Sequence, residues 1–122
     1  MIKKKFGNPQ ATFSEKVVAF VLSVPKGRVT TYGIVARRAG GSGHNLASRS
    51  ITDILGKAHK AGQKDIPFHR IVYANGKVWL TDEYAKERMK RYKEEKIEVD
   101  DRGRIKDFSE KLFGDFRNQD LF

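Results

Sequence analysis

Cysteine is absent from the 122-residue chain, which excludes a disulfide framework, thiolate metal sites and any cysteine nucleophile. The same absence leaves the redox compartment open. Long apolar runs are missing too. No stretch approaches the ~18 consecutive apolar residues of a helical membrane span, and the basic start MIKKKFGNPQ has no hydrophobic run behind it. A soluble intracellular chain without a secretory leader is therefore expected. Histidine is scarce, and His44, His59 and His69 lack metal-ligand spacing, so neither a metal nor a cofactor is expected. Acids are scarce in one region only. Residues 1–80 hold Glu15, Asp53 and Asp65 against 14 Lys and Arg, a net of 14 − 3 = +11. Residues 81–122 hold 11 basic and 12 acidic side chains, a net of 11 − 12 = −1, which completes the formal +10. The whole positive excess thus lies in the first two thirds, as in a surface that meets a polyanion.

Hydrophobic residues make up 39% of the chain, with eight Phe, four Tyr and one Trp. That suffices for one compact domain over residues 1–122, with a core region of about 13–96 and a C-terminal extension over 97–122. Thr12-Phe13-Ser14-Glu15 fits a capping box, and Phe13, Val17, Val21 and Val24 follow at helical spacing. These predict a helix over 13–23. Pro25-Lys26-Gly27 stops it, with Pro expected at the second turn position and Gly at the fourth. Thr30 or Thr31 caps a short second helix over 32–38, which Gly40-Gly41-Ser42-Gly43 ends.

A third helix, over 45–60, aligns Ala47, Ile51, Ile54, Leu55 and Ala58 in one buried stripe. Its opposite face carries Asn45, Arg49, Thr52 and Gly56, one long cation among short side chains, which suits close approach to a groove. Two short helices followed by a longer one with such a face make a helix-turn-helix arrangement. Beyond a loop, Ile71-Val72-Tyr73, Ala74-Asn75-Gly76-Lys77 and Val78-Trp79-Leu80 place Asn-Gly between two apolar runs and predict a β-hairpin, the wing of a winged helix-turn-helix. The fold class expected is therefore mainly α with a small β-hairpin. A helix over 83–96 follows, mixing both charge signs as a solvated face. After Ile97, Val99 and an Asp-Asp-Arg-Gly turn comes a tail whose Phe108, Leu112, Phe113 and Phe116 are expected to pack back on the body.

From Phe13 to about Lys96 the order of these motifs resembles the DNA-binding domain of O6-alkylguanine-DNA alkyltransferases. The matching stretches are VPKGRVTTYGIVARRAG, then ASRSI on the third helix, then IPFHRIV. In that family the last motif reads Ile-Pro-Cys-His-Arg, and its Cys accepts the alkyl group irreversibly. Phe68 stands here in its place. A phenyl ring offers no lone pair for such a displacement, and no other residue is a thiol, so suicidal dealkylation is excluded. What remains resembles the alkyltransferase-like proteins, which bind O6-alkylguanine without repairing it and pass it to nucleotide excision repair.

The resemblance implies a role for each matching residue. Tyr32 corresponds to the tyrosine that presses on the phosphate beside the target nucleotide and helps rotate it. Arg49 corresponds to the arginine finger that fills the vacated base stack from the minor groove. Ser48 and Thr52 flank it on the same helix. Phe68 would line the lesion pocket with Tyr32, and Val78 and Trp79 fall near the family's pocket-forming loop, whose glycines are absent here. Lys26, Arg28, Arg37 and Arg38 would hold the DNA backbone by charge. His69, with no thiol to activate, is expected in a structural hydrogen bond, and Arg70 in a structural role. Glu95 is a loose match to a family glutamate and is not counted among the site residues. The family's Asn before Ile-Pro-Phe-His-Arg is missing, and the stretch GKAHKAGQKD is about two residues longer. The expected partners are double-stranded DNA containing alkylated guanine and nucleotide excision repair proteins, for a monomer in the cytoplasm, nucleoid-associated in a prokaryote or nuclear in a eukaryote. Two other readings stay open: a winged-helix regulator or architectural protein without lesion preference, and an enzyme using His69 with Glu95 or Asp65 as an acid/base pair.

Overall fold

The computed structural model describes residues 11–41, 47–79 and 83–114. Helix α1 spans Phe13–Leu22 and begins at the capping box. The Thr12 hydroxyl accepts from the Glu15 amide at 3.1 Å, and the Glu15 carboxylate accepts from the Thr12 amide at 3.0 Å, so two otherwise orphaned N–H groups are satisfied. The turn after α1 is closed by Arg28 N–H donating to the Pro25 carbonyl at 3.2 Å. Pro25 is thus its first residue and Gly27, at φ +85°, its third. The expected register was one position off, because a positive φ at the third position is what this turn demands of glycine.

Strand β1, Thr30–Thr31, leads directly into α2, Tyr32–Arg38, where the Thr31 hydroxyl caps the helix by accepting from the Ile34 amide at 3.2 Å. Helix α3 spans Ala47–Lys60. The expected start at Asn45 and the glycine stop at Ser42-Gly43 lie outside the described residues. Ile51 and Leu55 are fully buried and Ile54 and Ala58 pack against them, as the periodicity requires. Arg49 and Thr52 are exposed on the other side. Helices α1, α2 and α3 enclose the main core, built on Val17, Val21, Val35, Ile51 and Leu55. This is the helix-turn-helix part of the expectation.

The β part differs in its partners. A 3-10 turn over Phe68–Arg70 leads into β2, Ile71–Val72, which pairs in parallel with β1 in the register Thr30↔Ile71 and Thr31↔Val72. Asn75-Gly76 does form a tight turn, with Tyr73 N–H donating to the Lys77 carbonyl at 3.0 Å. Past it the two arms part: Val78 N–H donates to Gly103 at 2.8 Å, and Lys77 bridges antiparallel to Arg104. The wing is therefore not the self-paired hairpin expected over 71–80. It is shared between two distant segments, a pairing that local patterning does not encode.

Helix α4, Ala85–Glu94, is followed by the Asp-Asp-Arg-Gly turn, across which Val99 bridges Ile105. Val29, Val72, Val78, Tyr92, Ile97 and Ile105 form a second buried cluster under the wing. Short α5, Phe108–Lys111, carries the chain back to β1, where Val29 N–H donates to Lys111 at 2.9 Å and Phe113 N–H to Val29 at 2.7 Å. Leu112 enters the main core, with Phe108 and Phe113 against it, and the Phe113 ring stacks on Phe20 at 5.8 Å. Phe116 lies outside the described residues.

Candidate nucleic-acid interface

A groove of about 980 Å³ runs between α3, the loop before the 3-10 turn, the wing and α4. Tyr32, Arg49, Thr52, Phe68 and Trp79, separated in sequence by up to 47 positions (79 − 32), all line it. Tyr32 is the first residue of α2, so its ring leaves the strand-to-helix corner half-buried against the core. Burial raises its phenol pKa, opposed by a hydrogen bond with Thr52; the hydroxyl stays protonated at neutral pH. Arg49 stands one turn before Thr52 on the exposed face of α3.

Phe68 opens the 3-10 turn, is 41% exposed and lines the groove. Its edge meets the His59 ring at 6.0 Å. The next residue turns inward: His69 is buried and its Nε2 lies 2.6 Å from Glu95. Glu95 also accepts from Arg70 Nη2 at 2.7 Å and from the Gly27 amide at 3.1 Å, while Arg70 Nη1 donates to the Val24 carbonyl at 2.8 Å. Burial alone would raise the Glu95 pKa, but the bonds from Arg70, His69 and Gly27 outweigh it and bring it down to about 2. Burial lowers the His69 pKa by penalising the charged ring, and the nearby Arg70 and Arg91 charges add to this against the opposing pull of Glu95. Neutral His69 therefore donates through Nε2 to Glu95, and Tyr92 O–H donates to the His69 carbonyl at 2.5 Å. This assembly anchors the second and third residues of the 3-10 turn, whose first residue, Phe68, lines the groove.

Several expected site residues fall elsewhere. Val78 is buried in the second core cluster and does not reach the groove, because successive residues of an extended segment face opposite ways and Trp79 takes the groove side. Arg28 donates through Nε to Lys111 at 3.1 Å and through Nη2 to Leu112 at 3.0 Å. Arg38 donates through Nε to Gly114 at 2.9 Å. Both guanidinium groups tie down the C-terminal segment rather than stand out for a phosphate. Lys26 and Arg37 are exposed away from the groove lining. Ser48 lies in the first turn of α3, and its side chain is outside the described residues.

Glu95 is the network residue that sequence reasoning left aside, since its partners stand 25 and 26 positions away. Tyr84, Glu87, Arg88 and Arg91 also line the groove. Their spacing of i, i+3, i+4 and i+7 was the available signal, masked by the mixed charges around them. Among the described residues, no cluster of three or more His, Asp or Glu side chains is placed to hold a metal ion, and no helix is long and apolar enough to cross a membrane.

A helix-turn-helix body with an open aromatic groove beside its third helix defines a nucleic-acid-binding class of domain, and comparison specifies which. Residues 12–97 match the DNA-binding domain of 6-O-methylguanine DNA methyltransferase, and the chain belongs to that family. A DNA base-flipping protein of Vibrio parahaemolyticus is 29% identical over 93 residues, covering 76% of this chain and 88% of that protein. The DNA base-flipping protein of Escherichia coli is 34% identical over 70 residues, 57% of this chain and half of that protein. The crystal structure of S. pombe Atl1 in complex with damaged DNA containing O6-carboxymethylguanine superposes with a TM-score of 0.64 at 26% identity, covering 83% of this chain and 94% of that one. A second structure, of S. pombe ATL with DNA, gives 0.63 at the same identity and coverage.

Proposed function

We propose that this protein binds O6-alkylguanine in duplex DNA, turns the damaged nucleotide out of the stack, and marks it for nucleotide excision repair without removing the alkyl group. The observation that carries the reading is Phe68. An exposed apolar ring lines the groove where the resemblance places a nucleophile, and the Arg70–Glu95–His69 network anchors the two residues that follow it. Helix α3 enters the minor groove, and Arg49, among short side chains, fills the space the base leaves. Tyr32 presses the adjacent phosphate as a neutral phenol, with Ser48 and Thr52 beside the finger. The turned-out base enters the groove between Phe68 and Trp79. Unstacking costs a few kcal/mol, less for a damaged pair, so alkylation lowers the cost and apolar contact with Phe68 adds discrimination. Lys26 and Arg37 supply backbone attraction at the margin. One groove serves one lesion, so a monomer suffices.

The test is binding of matched duplexes with guanine or O6-methylguanine at one position, at two salt concentrations, with methyl transfer assayed in the same samples. Tighter binding to the lesion with no transfer is expected. Equal affinity for the two duplexes leaves only a helix-turn-helix DNA binder without lesion preference.

A further inference from the structure

The pairing of the wing forces two like charges together. Val78 N–H donates to Gly103 at 2.8 Å and Ile105 N–H to Gly76 at 2.9 Å, and Lys77 bridges antiparallel to Arg104 between these bonds, as a pair with no hydrogen bond of its own. Side chains approach most closely at such positions, with Cβ atoms about 4.5–5.5 Å apart on one face of the sheet. Lys77 and Arg104 are both exposed, while Gly76, Val78, Gly103 and Ile105 beside them are buried. Two cations directly opposite each other cost stability. The next row of the same sheet avoids that cost, since Lys106 meets Glu98 at 3.6 Å. Lys77 and Arg104 form no ion pair among the described residues. Asp100 flanks Arg104 on its other side, but its Oδ1 accepts from the backbone N–H groups of Arg102 and Arg104, at 2.8 and 3.0 Å, and so closes the turn instead of pairing with the guanidinium.

An anion seated against both side chains turns this repulsion into attraction. Lys77 also lines the groove, with Arg49 and Arg88, so the anion within reach of a duplex held there is a backbone phosphate. We propose that Lys77 and Arg104 form a phosphate clamp on the wing, which grips the duplex backbone beside the groove. Arg104 lies beyond residue 97, where the match to the family's DNA-binding domain ends, so half of the clamp belongs to the C-terminal extension of this chain. The clamp rests on the reading of the groove as a duplex interface, and adds to it a contact indifferent to the lesion.

The full chain and its Arg104→Ala variant are compared by anisotropy on duplexes with and without O6-methylguanine at two salt concentrations, and by thermal unfolding. Affinity for both duplexes is expected to fall about 3–8-fold near 0.1 M salt, with a shallower salt dependence and an unchanged ratio between the two. The thermal midpoint is expected to hold or rise, because the repulsion is gone. Arg104→Lys keeps the charge and should retain most of the affinity. Arg104→Glu should raise the midpoint by pairing with Lys77 and bind DNA more weakly than Arg104→Ala. The proposal is overturned if Arg104→Ala binds both duplexes as wild type does, which would leave the pair to an acidic protein segment. A lowered midpoint overturns it too, since Arg104 would then brace the wing and the lost binding would be structural. Failure of the lesion reading looks different: wild type would bind the two duplexes equally, and Arg104→Ala would still weaken both.

Discussion

Glu95 is nearly enclosed and yet remains ionised down to about pH 2, because Arg70, His69 and Gly27 all bond to it. Its pKa in the unfolded chain is near 4.5, so the stability it contributes is fully present above that value and is lost as pH falls from there toward 2. His69 acts in the same sense: its folded pKa lies below 6.5, so acid favours the unfolded chain from that pH downward. Urea denaturation as a function of pH is therefore expected to show stability falling from about pH 6.5 into acid. Glu95→Gln should cost about 3 kcal/mol at pH 7 by leaving Arg70 uncompensated, and should flatten the dependence below pH 4.5. Phe68 calls for the opposite balance. With 41% of the residue exposed, Phe68→Ala should cost about 1 kcal/mol or less in stability, well under the 3–5 kcal/mol of a core phenylalanine, while reducing the preference for O6-methylguanine duplexes. Exposed Arg49 behaves likewise: Arg49→Ala is expected to stay within about 0.5 kcal/mol of wild-type stability and to lower lesion affinity. Tyr32, Arg49, Thr52, Phe68 and Trp79 were legible from their motifs as groove residues, whereas Tyr73, Lys77, Arg88 and Glu95 were not, and a residue such as Glu95 that works through three distant partners leaves no local pattern.

Helices were the legible elements. A capping box, a threonine N-cap and an apolar stripe are local signals, and α1, α2 and α3 follow them closely. The strands were legible as apolar runs but not in their pairing, because β1 finds β2 some 41 residues on (71 − 30) and the wing leans on the segment around Arg104. That dependence is testable at Gly76. Its φ is +82°, and a Cβ there would stand 3.0–3.3 Å from the Phe108 ring. Gly76→Ala is expected to lose about 1–3 kcal/mol, from backbone strain and overpacking together. Thermal unfolding would measure this, and a fully neutral substitution would mean that Phe108 does not brace the wing.

Across the whole molecule, the charge of +10 is divided between two tasks. Arg28, Arg38 and Arg70 are consumed by internal carbonyls and one carboxylate, while Lys77 and Arg49 face the groove. Formal charge counts cannot separate these groups, and the even-handed reading of Lys26, Arg28, Arg37 and Arg38 as one basic face reflected that. Lys77→Ala is expected to weaken binding to lesion and undamaged duplexes alike and to reduce the slope of log affinity against log salt by about 1. Arg49→Ala should change the ratio between the two duplexes instead.

The hydrogen bonds between Val29 and the Lys111–Phe113 segment join residues more than 80 positions apart. A nascent chain emerging from a ribosome at roughly 5–20 residues per second can assemble α1, α2 and α3 early. Until the segment around Leu112 is made, however, β1 has one flank unpaired and the main core lacks that leucine. A message broken or stalled before that point would yield a half-finished domain with an open strand edge, a natural substrate for chaperones and proteases rather than a weakened version of the protein.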